Sequence, residues 1–323
     1  MANYLVTGAA GFIGSHTSHK LLEQGHTVVG IDNVNDAYDP RMKEYRLKKL
    51  QALPGFKFHR RDISEKSCIE LFKDEKLDGV IHLAARAGVR YSVENPWVFL
   101  ESNVTGTLNM LEVCRQYGCK KIVMASTSSI YGENPQYPTP ETASSSEPMQ
   151  PYAASKKGAE ALVHSYHHLF GIDATVVRYF TVYGPAGRPD LAIFRFVKWI
   201  MEGEPIRING DGNQSRGFTY VDDIARGTIA ALKPLGYEII NLGGHEVISI
   251  NDLVTLVEDL TGKKANVQYG PPNLADMFMN QADVTKARNV LGWDPQVKLR
   301  EGIGNLIEWY NENREWAKDI LTP

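Results

Sequence analysis

A glycine-rich turn that follows an apolar strand and opens a helix constrains the fold more than any other feature. Residues 4–7 are typical of a short buried strand and residues 12–24 of a helix, with Gly8, Gly11 and Gly14 at the junction. The first glycine allows a tight turn, the second lets backbone approach an anion, and the third lets helix and strand pack closely. Such a unit typically holds the pyrophosphate of a dinucleotide at the helix N-terminus.

The alternation of strand and helix continues through the first half of the chain. Short runs rich in valine and isoleucine predict strands at residues 4–7, 27–32, 79–83, 121–126 and 174–178, with a weaker strand at 57–62. Helical patterns lie between them, at residues 12–24, 42–52, 65–74, 98–117 and 153–169. Strands that alternate with helices pair in parallel through right-handed crossovers. We therefore predict an α/β fold with a doubly wound parallel (Rossmann) sheet.

The pattern changes after residue 180, where the glycines and prolines of residues 184–190 exclude a regular element. Later patterns predict strands at 206–209 and 237–242 and helices at 191–202, 249–261 and 299–316, with Ser249 as an N-cap. We predict a dinucleotide-binding domain over residues 1–180, to which residues 217–245 return. Residues 181–323 are predicted to form a smaller, discontinuous α/β lobe that binds the substrate.

Composition excludes several classes of protein. Hydrophobic residues make up 43% and charged residues 23% of the 323 residues, as in globular proteins, and the net charge of -3 offers no basic field to nucleic acid or a membrane surface. No apolar stretch reaches the roughly 18 residues that span a bilayer, and no leader pattern precedes the first strand. Three cysteines are too few for a disulfide framework or a zinc site. We expect a cytoplasmic protein without a metal.

Asp32 ends the strand that follows the glycine turn. A carboxylate there accepts hydrogen bonds from both ribose hydroxyls and repels a 2′-phosphate, so the cofactor is predicted to be NAD rather than NADP. Other strand ends and helix starts fall at the same edge of the sheet, where ligands bind in this fold. The predicted cofactor contacts are Gly8, Gly11, Phe12, Ile13, Gly14, Asp32, Asn33, Asp62, Ile63, Leu83, Ala84, Ala85, Asn103, Tyr152, Lys156 and Tyr179.

Tyr152 and Lys156 lie four residues apart in a helical pattern, so both side chains share one face. The ammonium, together with a cationic nicotinamide, would stabilise a phenolate and lower the pKa of the tyrosine. The hydroxyl cluster at residues 126–129 follows a buried strand and ends at the same edge of the sheet. Tyr152 is therefore the predicted general base.

The chain resembles the extended short-chain dehydrogenases/reductases of the nucleotide-sugar epimerase and dehydratase group. The matching residues are Gly8, Gly11, Gly14, Asp32, Thr127, Tyr152 and Lys156, together with residues 210–212, 216–223, 282–283, 286–287 and 291–293. The resemblance covers nearly the whole chain. It implies a bound NAD, Tyr152, Lys156 and Thr127 as catalytic residues, a UDP-sugar substrate, and a homodimer formed through the helices near 98–117 and 153–169.

Within that group, the two residues after Thr127 discriminate between reactions. The 4,6-dehydratases resemble one another in an Asp–Glu pair there, and the glucuronate decarboxylases usually carry a Glu, whereas this chain has Ser128 and Ser129. The two serines therefore favour epimerisation, in which C4 of the sugar is oxidised and then reduced and no acid is needed to remove water. Residues 32–41, 179–185 and 187–190 are similar to those of UDP-glucuronate 4-epimerases, whereas Ala186 and residues 274–276 depart from the pattern.

The same resemblance suggests how the substrate is held. Arg216 is expected at the diphosphate, because a guanidinium binds phosphate through two hydrogen bonds, and Arg188 and Arg90 are expected near the sugar or the phosphate. Short hydroxyl donors are expected at the uronate carboxylate, and strand and helix backbone at the uracil. The predicted substrate contacts are Arg90, Thr127, Ser128, Ser129, Thr181, Arg188, Leu191, Ala192, Ile208, Arg216 and Asp276.

Three other functions remain open from the sequence. The nearest alternative is a UDP-glucose 4-epimerase, although those enzymes usually place an amide where Thr181 stands. An NAD-linked reductase with net turnover would need an exchangeable cofactor. A non-catalytic NAD-binding regulator is disfavoured, because Tyr152 and Lys156 are both intact.

Overall fold

The computed structural model describes residues 1–132, 136–244, 246–272 and 279–322. Its strands, in chain order, are β1 (Asn3–Thr7), β2 (Thr27–Asp32), β3 (Phe56–Arg60), β4 (Gly79–His82), β5 (Lys121–Thr127), β6 (Asp173–Tyr179), β7 (Thr181–Tyr183), β8 (Pro205–Asn209), β9 (Ser215–Tyr220), β10 (Tyr237–Leu242), β11 (Glu246–Ser249) and β12 (Asn266–Gly270).

Its α-helices are α1 (Phe12–Glu23), α2 (Arg41–Gln51), α3 (Val89–Glu94), α4 (Trp97–Phe99), α5 (Gly106–Tyr117), α6 (Pro151–Phe170), α7 (Ala192–Glu202), α8 (Val221–Ala230), α9 (Ile250–Thr261), α10 (Thr285–Leu291), α11 (Leu299–Glu312) and α12 (Arg314–Ala317). Residues Lys66–Phe72 and Ser128–Tyr131 form 3₁₀ turns, and Leu100–Thr105 forms a π-helical turn between α4 and α5.

Seven strands form one parallel sheet in the order β3-β2-β1-β4-β5-β6-β10. Alternate residues along a strand point to opposite faces. Leu5 packs with buried residues of α5 and α6 on one face, whereas Val6 packs with Leu21 of α1 on the other. The predicted doubly wound parallel sheet is thus confirmed.

Two smaller sheets lie in the second half of the chain. β9 pairs in parallel with β7 and antiparallel with β11, and β8 pairs in parallel with β12. Their buried side chains share a hydrophobic cluster with α7, α9 and α11. Met42 of α2 belongs to the same cluster, so α2 joins the larger sheet to this second core.

The element predictions fail in identifiable ways. The helix predicted at 65–74 is a 3₁₀ turn over Lys66–Phe72, and the helix predicted at 299–316 breaks at Asn313 between α11 and α12. β7, β9, β11, β12, α3, α8 and α10 were not predicted; several are very short, and the strands among them pair with partners distant in sequence. Among the described residues, no helix combines the length and apolarity that crossing a bilayer demands.

Candidate active site

The glycine turn between β1 and α1 accommodates no side chain at its tightest points. Gly8 has a φ of +70°, and a Cβ atom there would lie 2.8 Å from the backbone nitrogen of Ala84. A Cβ atom on Gly14 would lie 2.1 Å from the Gly8 carbonyl oxygen. The turn closes with a 2.9 Å hydrogen bond from the Gly11 N–H to that same oxygen. The backbone is therefore open to an anion at the start of α1.

Asp32 connects the glycine turn to the loop after β2. Its buried carboxylate accepts the backbone N–H of Ala10 at 3.2 Å and that of Val34 at 2.8 Å. Beside it, the Asn33 side chain donates to the carboxylate of Asp62 at 2.6 Å. Burial alone would raise the pKa of Asp62, but hydrogen bonds from Ser64 and Asn33 outweigh it and lower that pKa. Three predicted cofactor residues thus lie together at the ends of β2 and β3.

A buried polar chain behind the site was missed by sequence reasoning. The Thr7 hydroxyl oxygen accepts the N–H groups of Leu83 and Ala84, at 3.1 and 3.0 Å, and lies 2.8 Å from His82 Nδ1. His82 Nε2 lies 2.9 Å from the Thr107 hydroxyl. Burial, and secondarily the charge of Lys156, lowers the pKa of His82 to about 3. A neutral imidazole thus supports the loop after β4.

Asn103 lies on the π-helical turn and is fully buried. Its side chain accepts the Arg86 N–H at 2.8 Å and donates to the Arg86 carbonyl at 3.0 Å and to the Ser155 hydroxyl at 2.9 Å. These bonds use both amide protons. Asn103 therefore fixes the loop after β4 against α6, and direct contact with the cofactor stays a prediction.

Tyr152 and Lys156 lie in the first two turns of α6, close to the end of β5, where Thr127 accepts the Ser129 N–H at 3.1 Å. Burial lowers the pKa of Lys156 to about 8, and the charge of Glu160 opposes that shift. Burial raises the pKa of Tyr152, while the Thr127 hydroxyl and the charge of Arg188 act in the opposite direction. The side chains alone do not produce the lowered tyrosine pKa that the sequence predicted, because burial outweighs them.

Several predicted substrate residues line one cavity with the start of α1. The lining includes Phe12 of the glycine turn together with Thr181, Arg188, Leu191 and Ala192. The guanidinium of Arg188 forms two hydrogen bonds to Asp190, at 3.0 and 2.5 Å, so its orientation is fixed. The structure therefore brings part of the predicted substrate set to the predicted cofactor turn.

Other predicted residues lie elsewhere. Ile208 is buried in β8, Arg216 is half-buried in β9, and Arg90 is exposed in the first turn of α3; the cavity lining contains none of the three. The Tyr179 hydroxyl lies 2.7 Å from the Thr228 hydroxyl of α8. Asp276 lies outside the described residues.

Asn280 is a residue that sequence reasoning missed. Its buried amide donates to the Ser128 hydroxyl at 3.1 Å, so Ser128 is held from the second half of the chain. No local pattern marks Asn280, because its partner lies 152 residues away in sequence.

Comparisons with known proteins agree with this geometry. The chain matches the NAD dependent epimerase/dehydratase family over residues 4–243. A UDP-glucuronate 4-epimerase of Thermodesulfobacterium geofontis is 54% identical over 323 residues, 99% of each chain. The crystal structure of a UDP-glucuronic acid 4-epimerase from Bacillus cereus, in complex with UDP-glucuronic acid and NAD, is 38% identical, with a TM-score of 0.90 over 96% of this chain and 99% of that one.

A UDP-glucose 4-epimerase from Thermotoga maritima, solved with UDP-glucose, is 34% identical, with a TM-score of 0.89 over 97% of this chain and 99% of that one. The glycine turn, Asp32 and the Tyr152–Lys156 pair belong to a fold that these relatives share over nearly their whole length. The chain belongs to the NAD dependent epimerase/dehydratase family.

Proposed function

We propose that the chain is an NAD-dependent UDP-glucuronate 4-epimerase, an isomerase that interconverts UDP-glucuronate and UDP-galacturonate through a 4-keto sugar. The observation that carries the proposal is the end of β5, where the Thr127 hydroxyl bonds to Tyr152 and is followed by two further hydroxyl residues, Ser128 and Ser129. None of the three is an acid that would drive loss of water. Relatives named for this reaction match the chain over nearly its full length.

When bound, NAD would supply the hydride acceptor and donor for C4 of the sugar, and because it would be regenerated in each cycle it would serve as a prosthetic group. Tyr152, as a phenolate, takes the proton of the sugar 4-hydroxyl and later returns it. Lys156 keeps a positive charge near the phenolate, and Thr127 contacts the same sugar oxygen. A cationic nicotinamide adds the charge that the side chains alone do not supply.

The residues that would hold NAD fit it in shape and charge. Gly8, Gly11 and Gly14 leave backbone open to the pyrophosphate. The carboxylate of Asp32 would accept the ribose hydroxyls, and Asp62 lies beside it for the adenine. Lys156 would contact the second ribose.

The enzyme must keep the sugar carboxylate out of the orientation that leads to decarboxylation. A 4-keto uronate is a β-keto acid, and it loses carbon dioxide when the carboxylate bond aligns with the carbonyl π-system. We assign Thr127, Ser128, Ser129 and Thr181 to hold the carboxylate near the ring plane. Arg188 uses its Nε and one Nη2 donor on Asp190, and we assign its remaining N–H groups to the sugar or the phosphate, which leaves the short hydroxyl donors for the carboxylate. Arg216 is assigned to the diphosphate.

A UDP-glucose 4-epimerase is the second candidate, because the Thermotoga maritima enzyme has almost the same fold. Separate incubation with UDP-glucuronate and UDP-glucose, with products resolved by NMR, distinguishes the two. We expect UDP-galacturonate to form far faster than UDP-galactose. Faster conversion of UDP-glucose would overturn the proposal.

Three further properties belong to the same proposal. Residues 1–180 with 217–245 bind NAD, and residues 181–323 otherwise bind the UDP-sugar. Two copies associate into a homodimer through the helices near 98–117 and 153–169. The protein works in the cytoplasm, which suits three buried, free cysteines.

A further inference from the structure

Three successive peptide oxygens of the irregular segment 184–188 accept hydrogen bonds from side chains of α1 and α2. His16 Nε2 lies 3.2 Å from the Pro185 oxygen. Arg46 donates through Nε to the Ala186 oxygen at 2.8 Å and through Nη2 to the Gly187 oxygen at 2.9 Å. The segment lies outside helices and strands, so side chains supply the donors that a regular element would take from backbone. We call His16 and Arg46 the carbonyl clasp.

Arg46 reaches further than these two carbonyls. Its guanidinium, on a side chain only 3% exposed, also donates to the Ala10 oxygen at 3.3 Å and to the Tyr38 hydroxyl at 2.7 Å. Ala10 belongs to the glycine turn and Tyr38 to the loop after β2. A planar fork of five N–H donors can span four such acceptors, whereas a lysine ammonium, with three donors at one point, cannot.

His16 is bonded at both ring nitrogens. Nδ1 lies 2.8 Å from Asp222, which also pairs with Lys20 at 3.0 Å. The two ring nitrogens of His16 therefore connect the Asp222 carboxylate to the Pro185 carbonyl. Burial would raise the pKa of Asp222, but His16 and then Lys20 lower it to about 2.

The held segment leads directly into Arg188. Ala186 has a φ of +49°, a conformation that a non-glycine residue adopts only when its surroundings impose it. Arg188 follows with its guanidinium paired to Asp190 and 5.8 Å from the ring centre of Tyr38, the same ring that Arg46 covers at 5.5 Å. The position of Arg188 in the cleft therefore depends on contacts made by α1, α2 and the loop between β2 and α2.

We propose that His16 and Arg46 are positioning residues for the sugar nucleotide: by holding the carbonyls of 185–187 they set where Arg188 stands relative to the glycine turn and to Tyr152. The proposal rests on the proposed function, since it concerns the same cleft. Neither residue touches the reacting atoms. Their loss should weaken substrate binding much more than it slows the chemical step.

The first test replaces Arg46 with Met, which keeps the length and apolar packing of the side chain, and with Lys, which keeps its charge. Arg60→Met is the matched control. Arg60 ends β3 and pairs with Glu44 of α2, the helix that carries Arg46, but its side chain lies on the surface. We expect Kd for UDP-glucuronate, measured by calorimetry, to rise roughly ten- to a hundredfold in both Arg46 variants. A variant that is merely misfolded should be identified by its NAD content, by its kcat at saturating substrate and by its Tm.

The proposal stands if Kd rises in the Arg46 variants while their NAD content and kcat remain within about threefold of wild type. The control Arg60→Met should leave Kd, NAD content and kcat unchanged. It is overturned if folded Arg46 variants that retain NAD bind UDP-glucuronate as the wild type does. Calorimetry needs no turnover. A wild type that binds UDP-glucuronate without converting it would therefore contradict the proposed function. The effect of the carbonyl clasp on Kd could still be measured in that case.

The second test separates the two bonds of His16. His16→Gln places an amide near the former Nε2 and can still donate to Pro185, whereas His16→Asn places it near the former Nδ1 and can only reach Asp222. We expect His16→Asn to raise Kd severalfold and His16→Gln to stay near wild type. The reverse order would show that the Asp222 pair, and not the hold on the carbonyl, is what matters.

Discussion

Asp32 shows how one side chain carries two tasks. Its position at the end of β2 predicts a ribose ligand, and the structure adds hydrogen bonds from the N–H groups of Ala10 and Val34. Its carboxylate therefore shapes the glycine turn in addition to its proposed task of selecting the cofactor. Lys43 lies close enough for Asp32 to oppose the lowering of the Lys43 pKa that burial causes.

Asp32→Ala should release NAD faster and accept NADP. The carboxylate that repels a 2′-phosphate is lost, and the buried ammonium of Lys43 stays nearby to attract it. Cofactor content after desalting, in the presence of NAD or NADP, measures the change. Asp36→Ala, in the same loop, is the control. Equal retention of NAD and continued exclusion of NADP would remove Asp32 as the ribose ligand.

Tyr152→Phe should keep NAD and lose turnover by about 10²–10⁴, the usual effect of removing a general base. Only the hydroxyl is lost, so the packing of the ring against Phe99 should persist. Turnover and bound NAD are measured on the same preparation, with Tyr117→Phe on α5 as a control. Near-normal turnover would exclude Tyr152 from the mechanism.

Thr181→Val tests the assigned carboxylate site. The change removes one hydroxyl at nearly constant volume, and a hydrogen bond to a charged group is worth roughly 1.5–3 kcal/mol. UDP-glucuronate turnover should fall by about tenfold or more, with some leak of the decarboxylated 4-keto pentose, both followed by NMR. Thr175→Val, on β6, controls for the loss of a buried hydroxyl elsewhere. Unchanged uronate turnover would show that Thr181 does not hold the carboxylate.

Among the elements, the π-helical turn between α4 and α5 has a clear structural task. It brings Asn103 against the loop after β4 and against α6, which carries Tyr152 and Lys156. The loop after β4 is also bonded to Thr7 at the end of β1. The end of β1, the loop after β4, the π-helical turn and α6 are thus connected by hydrogen bonds.

Asn103→Ala should destabilise this junction, because the backbone N–H and carbonyl of Arg86 both lose their partner. Each buried polar group left unpaired costs about 1–3 kcal/mol. We expect a lower Tm and faster release of NAD, whereas Asn95→Ala, which removes an exposed amide nearby, should change neither. An Asn103 variant with the NAD release rate of the wild type would contradict the role given to the junction.

In the molecule as a whole, an exposed apolar surface lies beside α6. Val93, Trp97 and Leu100 are 64%, 71% and 47% exposed, on helices that pack against α6. Large apolar side chains that stay exposed on neighbouring elements typically mark a protein–protein interface. This surface adjoins the helices assigned to the homodimer.

Trp97→Glu should convert the proposed homodimer into a monomer, because this surface adjoins the proposed interface and a charge there would be buried on association. Light scattering coupled to size exclusion measures the mass directly. Tyr269→Glu, another exposed aromatic at 59%, should leave the mass unchanged. A wild type with the mass of a single chain would disprove the dimer, and a Trp97→Glu variant that stays dimeric would place the interface elsewhere.

Local sequence was sufficient for the parts of this protein that a few consecutive residues encode. The glycine turn, the acidic end of β2 and the Tyr152–Lys156 spacing depend on backbone conformation over one or two turns, and the apolar runs marked six of the seven main strands clearly. The short strands of the smaller sheets escaped this reasoning, because a three-residue strand such as β7 has no period to detect.

Contacts between distant residues required the folded chain. Arg46 meets Ala186 across 140 positions, His16 meets Asp222 across 206, and Asn280 meets Ser128 across 152. Sequence alone does not distinguish the buried arginine of α2 from an exposed one, because its hydrogen-bond acceptors are distant in the chain. Sequence patterns thus predict the groups that perform chemistry, whereas the groups that hold them in place are found only in the folded chain, because hydrogen-bond partners are determined by distance in space.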